Sequence, residues 1–398
     1  MRYDYYMCFV TGNNVANYLP FIDSNSAVDC ADVIFFTSEK MVNKFEKLKE
    51  VINKTSIRID FNDVNLSVKI TEQLNLEQYR DKSILFNITG GTKSMSLKAF
   101  IAGINTAHQN VTFMLVDQND NSSIEFYDQT GNATSSDHHQ YNLKIYNYLA
   151  LYNTAQISKQ ETLTAQIKFI NQLLSLNREQ IRKISNGFNK LNWICFYDKR
   201  NPHNNEFYLS DYKFNCPTNE INGLNDIFTM LAEFDLINSV PNSNNHIVDF
   251  TSESNHRFCT GVWLEIFTYK MLEKLKREEP NLISDLALSV SVNYGDKIFA
   301  NNELDVVFTA KSSMYYLECK TGKQVGRNFN EIIEKIGYLG NKLYMKCKVI
   351  TNDTLDSIKS ENAKRNDLSK LIEKHQILDI NNVIDYHTFK KSIIDWVK

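Results

Sequence analysis

Over its first 120 residues the chain alternates strand and helix signals, and that alternation leaves few folds open. Runs with strand composition fall at Tyr5 to Val10, Val33 to Thr37, Ser56 to Phe61, Ser83 to Ile88 and Val111 to Val116. Helices are expected between them, notably over Ser38 to Asn53 and Thr92 to Ala107. Regular strand-helix succession predicts a parallel sheet, in which ligands collect beyond the carboxyl ends of the strands. Those ends are Thr11-Gly12-Asn13-Asn14, Thr37-Ser38 and Thr89-Gly90-Gly91-Thr92-Lys93. All three are small, polar and rich in hydrogen-bonding groups.

In the last of them, Ser83 to Ile88 runs into glycines and then into Ser94-Met95-Ser96-Leu97, which reads as strand, glycine turn and helix. Glycines let the backbone approach a ligand closely, Thr92 can cap the new helix, and exposed amides at a helix start attract anions. A phosphate-bearing ligand is the natural guest, with Lys93 to meet it. The loop is not a Walker A sequence, because the leading glycine is missing and Thr92 stands where the second should be. Taken alone, it would serve equally as a plain strand-to-helix turn.

Far downstream, Asn302-Glu303-Leu304-Asp305-Val306-Val307-Phe308 is followed, thirteen residues after Asp305, by Glu318-Cys319-Lys320 at the end of Met314-Tyr315-Tyr316-Leu317. Strand composition on both sides of a short polar turn at Ala310 to Ser313 predicts a hairpin. Side chains alternate along a strand, so Glu303 and Asp305 share one face, and so do Glu318 and Lys320. With those faces coincident, three carboxylates and one ammonium converge. Such clustering is unfavourable without a hard divalent cation, and oxygen-rich sets suit Mg²⁺ or Mn²⁺. A cation there would bind a scissile phosphate and activate a water, with Lys320 orienting the attack or meeting charge on phosphorus. The plainer reading is an exposed hairpin with solvated charges. It is disfavoured because Asp305 and Glu318 adjoin apolar strand cores, where an unpaired carboxylate is costly.

The Asp305, Glu318 and Lys320 pattern resembles the PD-(D/E)xK nuclease superfamily. The resemblance implies that Asp305 and Glu318 are metal ligands, that the backbone carbonyl of Cys319 is a third, and that Lys320 is the catalytic lysine. Glu303 is a further acidic candidate without a settled role. The superfamily often adds a glutamate from a helix before the sheet, and Gly261-Val262-Trp263-Leu264-Glu265-Ile266-Phe267-Thr268-Tyr269 matches that element. Glu265 is therefore a fourth acidic candidate, catalytic and metal-binding. Its neighbours Trp263, Leu264, Ile266 and Phe267 predict a helix packed on both flanks rather than a solvated one.

Residues 1–145 resemble the CARF domain, the Rossmann-like sensor of type III CRISPR systems. In that family the loop carrying Gly-Gly-Thr-Lys contacts cyclic oligoadenylate. By resemblance the ligand candidates are Thr11, Gly12, Asn13, Asn14, Thr37, Ser38, Gly90, Gly91, Thr92 and Lys93. Where related nucleases often have paired glycines after the helix that follows the catalytic strand, this chain has Gly340-Asn341. A CARF-like sensor followed by a PD-(D/E)xK module looks like the ancillary nucleases that cleave nucleic acid when cyclic tetra-adenylate binds. That activator has two-fold symmetry, so a homodimer presenting the same loops twice is expected.

The expected organisation is α/β: a Rossmann-like domain at 1–145, a helical and winged-helix-like connector at 146–250, and a restriction-endonuclease-like domain at 251–398. In the connector, helices are expected at Thr162 to Leu174 and Asn222 to Ile237, with a wing near His246 to Phe250 and the polar run Tyr197 to Asn205 between. A structural spacer is the stronger reading. Seven cysteines without a C-x-x-C pair indicate reduced thiols and a cytoplasmic protein, and there is no membrane span or export signal. A net charge of −3 argues against nonspecific coating of nucleic acid. Substrate binding must then use a local basic surface, for which Lys270, Lys274, Lys276, Arg277, Lys323, Arg327, Lys335 and Lys342 are available. One of Tyr315 and Tyr316 is expected to be free to stack on bases. The pair His138 and His139 lacks convincing metal spacing and reads as polar loop. Single-stranded DNA, RNA and nicked duplex DNA all remain open as substrates. Three other classes stay in view: a ring nuclease degrading its messenger, a binding protein that recruits a partner, and a messenger-independent repair or restriction nuclease.

Overall fold

Five parallel strands and two antiparallel ones build the N-terminal sheet: β1 (Arg2–Phe9), β2 (Asp29–Thr37), β3 (Asn65–Ile70), β4 (Ile84–Asn87), β5 (Val111–Val116), β6 (Ser123–Tyr127) and β7 (Ala133–His138). In this computed structural model the described residues are 2–22, 29–55, 65–70, 74–105, 110–117, 123–138, 141–152, 164–196, 208–210, 212–292, 302–321, 329–352, 354–355, 358 and 377–398. Helices α1 (Val15–Tyr18), α2 (Val42–Thr55) and α3 (Lys93–Asn105) connect the parallel strands. The expected strand Ser56 to Phe61, together with His139, Lys323, Arg327 and the run Tyr197 to Asn205, lies outside the described residues.

Strand order is β3-β2-β1-β4-β5-β6-β7, so the winding reverses between β1 and β4. That reversal opens a crevice at the carboxyl ends of these two strands, where ligands bind in sheets of this type. Alternation along β1 buries Met7 and Phe9 with Ile34, Phe86, Phe113 and Ala99 on one face, and Tyr6 and Cys8 on the other. Burial on both faces explains why the parallel strands read as continuous apolar runs.

After α4 (Ile145–Ala150), the connector contains α5 (Thr164–Ser175), α6 (Arg178–Phe196), β8 (Tyr208–Ser210), β9 (Lys213–Asn215), α7 (Thr218–Glu233) and β10 (Ile247–Asp249). The three strands form an antiparallel sheet in the order β10-β9-β8, and Ile237 makes a bridge to Phe250. Phe169, Phe188 and Phe228 of the connector share one core with Trp263, Phe267, Phe308 and Tyr315. Phe188 stacks on Trp263 at 4.7 Å between ring centroids. The segment expected as a structural spacer thus packs as a supporting layer on the C-terminal domain.

That domain begins with α8 (Glu253–Arg257), a π-helical turn over Phe258–Val262, and α9 (Trp263–Glu278). Its sheet holds β11 (Asp285–Val292), β12 (Asn302–Ala310), β13 (Ser313–Lys320) and β14 (Lys346–Thr351) in the order β11-β12-β13-β14. Helix α10 (Phe329–Leu343) precedes β14, and α11 (Ile380–Val383) and α12 (Tyr386–Val397) close the chain. The core of the N-terminal sheet continues through Tyr148 into Leu304, Val307, Met314, Tyr316 and Ile336 of this second sheet. The two sheets therefore share buried apolar packing. All seven cysteines are free thiols, and no described helix is long and apolar enough to cross a membrane.

Candidate active site

The hairpin expected from the strand composition forms, with Lys311 and Ser312 both in the left-handed region at its tip and Ala310 paired with Ser313. Two positive φ values in a two-residue loop match the right-handed twist of the flanking strands. Antiparallel pairing runs as far as Val306 opposite Leu317. One step further, a side chain replaces the ladder: the Cys319 amide donates to Asp305 Oδ2 at 2.7 Å. Asp305 is thereby fixed by the backbone of the strand that carries Glu318 and Lys320.

Glu318 is fully buried and Asp305 nearly so, at 0% and 7% exposure. The Lys320 ammonium lies 2.5 Å from Glu318 Oε1 and 3.7 Å from Asp305 Oδ2, so a single cation reaches both carboxylates. From α10, Lys335 Nζ donates to both Glu318 oxygens at 2.9 and 2.8 Å, and the Tyr316 hydroxyl donates to Oε2. Helix α9 brings in Glu265, whose half-buried carboxyl is raised well above the usual range by burial and then by Asp305 and Glu303. Burial and Glu318 push Asp305 up to about 6. Burial works to lower the Lys320 pKa, but Asp305 and Glu318 outweigh it and hold the ammonium charged. Glu303 is exposed at the rim.

The donor set suits a hard cation. Carboxylates held above their ordinary pKa by burial and by one another are what a divalent ion would neutralise. Among the described residues, however, no three metal-ligating side chains are already grouped around one point. The two ammonium groups occupy Glu318 instead, so the four-ligand set of Asp305, Glu318, Cys319 carbonyl and Glu265 is not assembled. Asp305 and Glu318 would hold the ion, and Glu265 feels the charge of Asp305 from helix α9.

At the other end of the chain, the β1 and β4 loops meet across the crevice. A Cβ on Gly90 would fall 2.8 Å from the Phe9 carbonyl and 3.1 Å from Thr11 Cγ2, and Gly91 has φ +91°. Only glycines fit this approach. The Thr92 hydroxyl accepts from the Met95 amide at 3.2 Å, capping α3 as expected. The Thr11 amide donates to Asn14 Oδ1 at 2.9 Å, while the buried Asn14 Nδ2 has no hydrogen-bond partner among the described residues. Gly91, Thr92, Lys93, Asn13 and Ser38 are exposed, Gly12 is half-buried, and Thr37 is buried at the end of β2.

Residues 8–148 match the Card1 CARF domain, and residues 252–381 match the Card1-like endonuclease domain. The chain is a CARF-domain endonuclease. Two solved structures share its fold over nearly their whole length. Protein VC1899 from Vibrio cholerae is 16% identical with a TM-score of 0.74, covering 99% of this chain and 97% of that one. Can2 from Sulfobacillus thermosulfidooxidans, solved with cyclic tetra-adenylate, is 20% identical with a TM-score of 0.68 and the same coverage. No curated protein matches the sequence significantly.

Within the endonuclease domain, two site residues escaped the sequence reading. Tyr316 was assigned to core or to base stacking, yet both Tyr315 and Tyr316 are fully buried and neither can stack on a base. Tyr315 packs between Phe308 and Trp396. Lys335 was counted with the surface cations but sits on Glu318. Its signal was present, since it interrupts the buried stripe Ile332, Ile336, Leu339 and Leu343 of α10. Other expected surface cations are also engaged: Lys270 pairs with Glu273, Lys274 lies 3.9 Å from the Tyr386 ring centroid, and Lys276 donates to the Ser284 carbonyl.

Proposed function

We propose that this protein is a metal-dependent endonuclease, switched on by cyclic tetra-adenylate, that cleaves single-stranded DNA or RNA in the cytoplasm as part of type III CRISPR defence. The observation that carries the reading is the Lys320 ammonium lying between two buried carboxylates, Asp305 and Glu318, in one chain with a CARF domain. That Can2, of similar fold, was solved with cyclic tetra-adenylate supports the choice of activator.

In this reading Asp305 and Glu318 hold Mg²⁺ or Mn²⁺, and the Cys319 amide keeps Asp305 in place. The bound ion supplies Lewis-acid activation of the scissile phosphodiester. Lys320, kept charged by its two carboxylates, stands to neutralise charge that builds on the phosphate. Lys335, which holds both Glu318 oxygens, would offer a second ammonium to the phosphate were Glu318 engaged by a metal. On the sensor side, the α3 amides, Lys93 and the β1 loop line the crevice that would receive the messenger.

Helix α3 also supports the homodimer. Leu97, Ile101 and Ile104 are 58%, 46% and 43% exposed, and their spacing puts them along one face directly after the Gly90 to Lys93 loop. A second copy laid on that face would bring two sensor loops to one two-fold ligand.

The test is cleavage of labelled single-stranded DNA and RNA with Mg²⁺ or Mn²⁺, with and without cyclic tetra-adenylate. Equal cleavage with and without the messenger contradicts the activation half. Unchanged cleavage after chelation of all divalent ions contradicts the metal half.

A further inference from the structure

One residue of the endonuclease domain reaches the sensor loop. Tyr344 lies between α10 and β14, has φ +52°, and is 49% exposed. A bulky side chain in the left-handed region is unfavourable, so neighbouring contacts must hold it there. The Tyr148 hydroxyl is 2.9 Å from both the Leu343 and Tyr344 carbonyls, and the Tyr344 ring stacks on Tyr152 at 5.7 Å between centroids. Both anchors belong to the segment that leaves the CARF domain.

The far edge of Tyr344 meets the β1 loop. A Cβ on Gly12 would come within 2.7 Å of the Tyr344 hydroxyl oxygen, so no larger residue fits while the tyrosine stays. Next to it, the Tyr152 hydroxyl donates to Asn13 Oδ1 at 2.8 Å, and Lys44 lies 5.6 Å from the Tyr152 ring centroid. Two adjacent loop residues, both ligand candidates, therefore rest against the aromatic pair Tyr152 and Tyr344.

In the other direction, Tyr344 directly follows the last residue of α10. That helix carries Lys335 onto Glu318, about 13 Å away at the rise of an α-helix. The strand after Tyr344, β14, pairs with β13, setting Val349 beside Glu318 and Thr351 beside Lys320. Tyr344 is thus joined to the active site by one continuous helix and one paired strand.

We propose that Tyr344 is a positioning residue: it senses the state of the Thr11 to Asn14 loop and sets, through α10, how firmly Lys335 holds Glu318. A ligand that reorders the loop moves the tyrosine, and Lys335 leaves the carboxylate that the catalytic ion needs. The inference rests on cyclic tetra-adenylate being the activator.

Tyr344→Gly is the informative variant, because glycine accepts the backbone conformation and the turn keeps its shape. Calorimetric titration with cyclic tetra-adenylate is paired with the ratio of cleavage rates in its presence and absence. The variant is expected to bind the messenger within about threefold of wild type while its activation ratio falls at least about tenfold. Tyr344→Phe, which keeps the stacking on Tyr152 but removes the hydroxyl that meets Gly12, should fall between wild type and the glycine variant. An activation ratio equal to wild type in Tyr344→Gly overturns the assignment, as does a loss of activation that merely tracks lost binding. Wild type that neither binds the messenger nor responds to it overturns the proposed function, and this inference with it.

Discussion

Lys335 sits 2.8 Å from Glu318, a buried carboxylate that a catalytic ion would require. An ion bound there, as proposed, would have to compete with this lysine for the same oxygens. Like charges a few ångströms apart at a protein surface repel by a few kcal/mol, part of which is screened. Lys335→Ala should bind Mn²⁺ about three- to tenfold more tightly, read by electron paramagnetic resonance of the free ion. The same variant should lose roughly 1–3 kcal/mol of stability without metal, because Glu318 loses a partner. Unchanged Mn²⁺ affinity would remove the competition.

Asp305 gives the opposite stability effect. Its pKa is about 6 in the folded protein against an ordinary 3.8, raised first by burial and then by Glu318. A raised carboxyl stabilises the fold below its unfolded value, and that contribution is lost as pH rises through 4 to 6. At pH 7 the metal-free protein carries the cost of a buried charge, on the order of 1–3 kcal/mol. Asp305→Asn should thus raise the Tm at pH 7 by a few degrees without metal, and the gain should shrink toward pH 4. A variant less stable than wild type at pH 7 would show that Asp305 is held in its charged form.

Protons and metal compete for the same oxygens, and Glu265 is raised in the same direction as Asp305. Mn²⁺ affinity should accordingly climb between pH 5 and pH 7, by calorimetric titration at constant ionic strength. Affinity flat across that window would place the ion on other ligands.

Sequence alone made the parallel sheet, the catalytic hairpin and the glycine loop legible, because each rests on local signals: strand composition, a two-residue turn, glycines before a helix. The strand at Asn65–Ile70 was not anticipated, and the expected strand Ser56 to Phe61 lies outside the described residues. The antiparallel β6 and β7 were not anticipated: β6 (Ser123–Tyr127) is only five residues long, and β7 (Ala133–His138) is almost entirely polar. Long-range partnership was the harder part. That Lys335 meets Glu318 depends on how α10 lies against the sheet, and that Tyr344 meets Gly12 depends on how the domains pack. Neither is encoded in spacing along the chain.

The exposed face of α3 yields a prediction about assembly. If the proposed homodimer forms through this face, Leu97→Lys together with Ile101→Lys should give a monomer in sedimentation velocity, with little change in Tm. A double variant that sediments like wild type would exclude this face as the interface.

The central claim is tested most directly by single-turnover cleavage of labelled single-stranded DNA and RNA, with Mn²⁺ and cyclic tetra-adenylate, comparing wild type with Glu318→Gln. The account predicts cleavage by wild type only with both additions, and a fall of at least about a hundredfold in the variant, with messenger binding intact. Glu318→Gln cutting at the wild-type rate would contradict it.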